Sequence, residues 1–154
     1  MTANALTLIY VGLTATLTKA ASGNHPREQI ELPELERTAT GALNRDGPAY
    51  TPPHLWDSAF IVDSATLDTL IVQHAAWRDS PSAITIYDTI SKYSEATQTR
   101  AHVPGTTPTT KGGRALYYPQ FKAEFQGDLK YQTLGLGWYQ VNFQLIETEL
   151  VPTS

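Results

Sequence analysis

The stretch from Trp138 to Val151, WYQVNFQLIETELV, decides the fold class. Tyr139, Val141, Phe143 and Leu145 alternate with Gln140, Asn142, Gln144 and Ile146. A period of two is what a strand with one buried face requires. A one-residue slip would turn the large apolar groups to water, so its register is well fixed. A strand of this kind needs partners on both sides, and the rest of the chain supplies them.

Leu116 to Phe125 (LYYPQFKAEF) alternates in the same way, with Tyr117, Phe121, Ala123 and Phe125 inward and Pro119 at an edge or bulge. Gly127-Asp128 makes a turn, and Tyr131 to Leu136 leads through Gly135 and Gly137 into the terminal strand. Leu55 to Val62 (LWDSAFIV) places Trp56, Ser58, Phe60 and Val62 on one face. Ala83 to Asp88 (AITIYD) is a further strand, and Glu34 to Thr40 a short one. At the other end, Leu6 to Val11 is β-branched and aromatic, and Gly12 permits a bend or bulge. Leu13, Ala15 and Leu17 then alternate with threonines.

The helix signal lies between these strands. Asp63 or Ser64 supplies an N-cap, and Leu67, Leu70, Ile71 and His74 fall at helical spacing as far as Trp77. Asp68 in the first turn and Arg78 at the end complement the helix dipole. The expectation is a mainly β, antiparallel sandwich or barrel-like domain with one α-helix over about residues 64–78. Strands do not alternate with helices, which argues against a parallel sheet. The 154 residues suit one domain, with an extended N-terminal segment (1–30) and a long loop (89–114).

Composition narrows the function classes. Only 17% of residues are charged, against about 25% in a typical domain. Thr, Gln, Ser and Tyr fill the surface instead, a composition suited either to strands or to subunit interfaces. A net charge of −4 with scattered basic residues argues against nucleic acid. The absence of cysteine removes disulfides, thiol catalysis and Cys-based zinc sites. Ala5 to Ala21 lacks a preceding basic residue and is interrupted by threonines, so it reads as strand and not as a secretory signal. No run of 18 apolar residues suggests membrane insertion.

Catalytic constellations do not stand out. The G-x-S-x-G elbow, Walker, dinucleotide and EF-hand patterns are missing, and His25, His54, His74 and His102 share no metal-ligand spacing. No catalytic residue, cofactor or metal is expected. His74 reads as a satisfied core or rim histidine on the apolar side of the helix. Glu147 and Glu149, two apart on a strand, point to one side and read as a solvated face. A sugar-binding module is the alternative reading, with Trp56, Tyr117, Tyr118, Trp138, Asn142 and Gln144 furnishing a face.

The order of features resembles one family. A strand with Trp56 and Phe60 precedes the helix, which ends at Trp77; Ile86-Tyr87-Asp88 follows, and the terminal strand carries Tyr139, Val141, Phe143, Leu145 and Glu147. This is similar to the small distal-tail, tail-tip and baseplate proteins of long-tailed bacteriophages, over roughly Trp56 to Glu149. The resemblance implies a virion structural protein made in the host cytoplasm. It implies a homo-oligomeric ring, commonly a hexamer, joining the tail tube to the baseplate or tip beside other tail proteins. Under that reading Pro104, Gly105, Thr106, Thr107, Lys111, Tyr117 and Tyr118 are the expected interface residues. The same reading has a neighbouring subunit order the long loop, and lets the N-terminal segment add a strand to a neighbour's sheet.

Overall fold

β7 (His54–Asp63) and β14 (Trp138–Glu149) pair antiparallel from Trp138 opposite Asp63 to Ile146 opposite Leu55. Both strands alternate as their sequences require. Trp56, Ser58, Phe60 and Val62 are buried on one face of β7, and Val141, Phe143, Leu145 and Glu147 on the same face of β14. The computed structural model describes residues 4–21, 27–29, 36–37, 43–44 and 54–153.

Around this pair the chain adds β1 (Leu6–Tyr10), β2 (Leu13–Leu17), β3 (Lys19–Ala20), β4 (Arg27–Gln29), β8 (Ile84–Asp88), β12 (Gln120–Phe125) and β13 (Lys130–Gly135). The strand order is β2-β1-β8-β12-β14-β7-β3, with β13 beside β14 and β4 beside β7. β2 and β3 are separated only by Thr18, yet they stand at opposite ends of this order. One bent run of chain therefore pairs with β1 through Leu13–Leu17 and with β7 through Lys19–Ala20. The sheet must curl for both to hold. The result is an antiparallel half-barrel with one helix.

Its inner face is continuous and mainly apolar, with Ser58 and Glu147 also buried on it. Leu6, Leu8, Leu17, Trp56, Phe60, Ile84, Ile86, Phe121 and Leu145 are each at most 1% exposed. Burying a side chain of this size stabilises the fold by roughly 1.5–3 kcal/mol. The N-terminal strands belong to this core. Residues 6–20 are thus not a free arm, because lending them to a neighbour would take Leu6, Leu8 and Leu17 out of the chain's own barrel. Val11 and Gly12, both at positive φ, make the tight turn between β1 and β2 where a bend or bulge was expected.

Helix α1 (Ser64–Asp79) closes one end. The Asp63 Oδ1 accepts from the Thr66 backbone N–H at 2.9 Å, and this bond holds the Asp63 carboxyl below its ordinary pKa. Asp68, expected in the first turn, stands one turn further on, whereas Arg78 does occupy the last turn. The helix buries Leu67, Leu70, Gln73 and His74. Gln73 Nε2 donates to the carbonyls of Leu8 and Leu13, at 3.1 Å each, tying the helix to β1 and β2. His74 is satisfied, with its Nε2 3.0 Å from the Gly127 carbonyl.

The segment read as a long loop carries structure of its own. β9 (Tyr93–Glu95), β10 (Thr109–Lys111) and β11 (Arg114–Tyr117) form a small sheet in the order β10-β11-β9. Between β9 and β10, Arg100 and Val103 are fully buried against the barrel's other end. Two short strands, β5 (Glu36–Arg37) and β6 (Leu43–Asn44), pair with each other. The remainder of the loop read at Asn44 to Pro53 lies outside the described residues.

Candidate functional site

Two features stand out from the barrel. The first is an ion cluster at the end opposite α1. Arg100 donates from Nε to Glu147 Oε2 at 3.1 Å and from Nη2 to Oε1 at 3.0 Å. The His54 backbone N–H donates to the same Oε1 at 3.2 Å, and His54 Nδ1 lies 3.3 Å from it. The guanidinium carbon is 5.3 Å from the Tyr93 ring centroid and 5.5 Å from that of Phe121. Burial alone would raise the Glu147 carboxyl. The bonds from His54 and Arg100 and the Arg100 charge outweigh it and hold the group below its ordinary value.

A carboxylate held in that way is ionised at neutral pH and fully engaged as an acceptor. It is a clamp, and a poor proton acceptor. The clamp fastens the 89–119 segment to the barrel. Tyr117 joins it, donating from its hydroxyl to Glu95 and accepting from the Arg100 backbone N–H at 3.3 Å. Burial and the Glu95 carboxylate raise the Tyr117 hydroxyl well above an ordinary phenol. Sequence reasoning placed Glu147 on a solvated face, and that reading is overturned: Glu147 is 8% exposed, while Glu149 is exposed near Lys122. The missed signal was phase, since Glu147 continues the inward series from Tyr139 to Leu145.

The second feature is the hairpin of β13 and β14. Every residue of β13 is exposed, and its outer edge has no strand partner among the described residues. The turn is Gly135-Leu136-Gly137, with Leu136 at φ 56° and 101% exposed. Leu134, Trp138 and Tyr131 are also exposed large apolar residues. Lys19 Nζ sits 4.2 Å over the Trp138 ring. Between the hairpin and α1 opens a pocket of about 420 Å³. Ile71, His74, Ala75 and Arg78 form one wall and Asp128 to Tyr131 the other.

The expected interface residues fall elsewhere. Pro104, Gly105, Thr107 and Lys111 are exposed, and Thr106 and Tyr118 are half-buried. The turn at Pro104 sits beside Tyr118, because the Val103 N–H donates to the Tyr118 carbonyl at 2.8 Å. Lys111 stands apart at the β10–β11 turn. Tyr117 is a correction: at 1% exposed it belongs to the ion cluster and not to an outer surface. The six-residue sugar face does not form either, since Trp56 is also buried. The described residues contain no cluster of three or more potential metal ligands, and none of their helices is long and apolar enough to cross a membrane.

The chain matches no protein family, no curated protein and no solved structure.

Proposed function

We propose that this chain is a structural subunit that works by assembling with other protein chains, and that its setting is the tail of a long-tailed bacteriophage. The observation that carries the assembly reading is β13. Natural sheets guard an open edge with charge, proline, a bulge or a covering segment. Apart from Lys130 at its start and an irregular step between Thr133 and Gly135, this edge offers no charge and no proline, and the hairpin turns at a solvent-exposed leucine. A surface of this kind is stable in solution when a partner covers it. The tail setting rests on the order of Trp77, Tyr87-Asp88 and the terminal strand.

Light scattering on size-exclusion eluate, at about 10 µM and about 100 µM, tests the assembly reading. A discrete oligomer, or a climb toward one with concentration, is expected. A strict monomer at both concentrations overturns it. Negative-stain images of the oligomer test the tail setting, where closed rings are expected and open fibres would count against it.

A further inference from the structure

We infer that the pocket between α1 and the β13 hairpin is a binding site for a free α-amino acid with an apolar side chain. The inference goes beyond the assembly reading and does not depend on it. A volume of about 420 Å³ is in the range of small-molecule sites. The lining supplies a cation, an anion and an apolar wall, and each matches one part of such a ligand.

Arg78 stands on the α1 wall and Asp128 on the facing wall. Neither side chain makes an ion pair or a hydrogen bond among the described residues. An unpaired cation and an unpaired anion therefore border one cavity without touching. Lys130 adds no second cation. It pairs with exposed Asn142, whose neighbours Val141 and Phe143 point inward, so its side chain shares the outer face of the sheet. A ligand of one sign would be attracted by one wall and repelled by the other. A zwitterion is attracted by both, with its carboxylate at Arg78 and its ammonium at Asp128.

His74 is the buried part of the site, 5% exposed and yet lining the pocket. A carbonyl only accepts, so the 3.0 Å contact with Gly127 puts the ring hydrogen on Nε2. In the neutral ring Nδ1 is then a lone-pair acceptor with no partner among the described residues, a second receiver for an ammonium N–H. The imidazole is held by the Phe125 and Trp77 rings, at 4.9 and 5.8 Å between centroids. Ile71 and Ala75 on the helix, with Leu129 and Tyr131 opposite, take the ligand's side chain. Tyr131 pairs with Val141 and shares its inward face, unlike Lys130 beside it.

Three probes with one phenyl ring separate the charges: L-phenylalanine, phenylpropionate without the ammonium, and phenethylamine without the carboxylate. Amide NMR titration with L-phenylalanine is expected to give saturable shifts at Ala75, Arg78 and Leu129, with a Kd of about 1 mM or lower. Phenylpropionate, phenethylamine and glycine should each bind at least about tenfold more weakly. Arg78→Gln and Asp128→Asn should each weaken L-phenylalanine by a similar factor with Tm unchanged. Asp128→Asn should also leave phenylpropionate binding unchanged or tighter, because the repulsion is gone. Equal affinity for L-phenylalanine and phenylpropionate would make this a plain anion site and overturn the inference. The absence of saturable shifts at about 10 mM L-phenylalanine overturns it as well.

Discussion

Arg100 grips both carboxylate oxygens of Glu147, with Nε 3.1 Å from Oε2 and Nη2 3.0 Å from Oε1, in a buried wall beside His54 and Phe121. Arg100 is 0% exposed and comes from a segment without regular structure, whereas Glu147 stands near the end of the longest strand. The pair therefore does what a disulfide does in other small β domains. It fastens a long excursion of chain to the sheet.

Breaking the pair from one side should be costly. Glu147→Gln leaves the Arg100 charge buried beside a neutral amide, and about 3–5 kcal/mol of stability should be lost. Urea denaturation measures it. The joint change of Arg100→Met and Glu147→Leu removes both charges and should recover most of the loss. If the joint variant is as unstable as Glu147→Gln alone, the charge pair is not the source of the effect.

The same pair predicts an acid limit. The folded-state pKa of Glu147 lies below its ordinary value of 4.5, so the stabilisation is complete above that value. It is lost as pH falls from there through the lowered folded value, because the folded state must then give up its ionised carboxylate. Thermal melts between pH 7 and pH 3 should show Tm falling most steeply below about 4.5. In Glu147→Gln this part of the slope should vanish.

Much of this fold is legible in the sequence, and what is not has physical causes. β7, β14 and β12 each bury one face of a long alternating run, so periodicity finds them and their register. The helix announces itself through Asp63 and through Leu67 and Leu70. Arg100 is invisible because no pattern marks a buried cation between Thr99 and Ala101; its partner stands 47 residues away. Glu147 was in phase with the core, but a carboxylate at a strand end is usually solvated, and its partner decides otherwise. Tyr131 to Leu136 was read only as leading into the terminal strand, and it forms the edge strand β13. That no other strand among the described residues covers it is a property of the sheet order and not of Lys130 to Gly135 themselves.

Leu8 tests whether the N-terminal strands are integral. The residue is 0% exposed, and its carbonyl accepts from Gln73. Leu8→Ala should cost about 2–5 kcal/mol, as a core truncation does. An arm that served a neighbour would give a loss under about 0.5 kcal/mol in the isolated chain, which is what surface changes give. Chemical denaturation of the dilute protein separates the two.

Val11 offers the opposite outcome, a gain. It occupies the first position of the tight turn between Tyr10 and Leu13, at φ 46°, and is 54% exposed. A β-branched residue is strained in that conformation, at a cost of order 1–3 kcal/mol. Little contact offsets the strain, because the side chain faces solvent. Val11→Asn, which suits a positive-φ pair followed by Gly12, should therefore stabilise the fold by about 1 kcal/mol. In a domain of this size that corresponds to a rise in Tm of roughly 2–4 °C. Calorimetry on the dilute chain reads it directly. A fall in Tm would mean that Val11 makes a stabilising contact which outweighs its backbone strain.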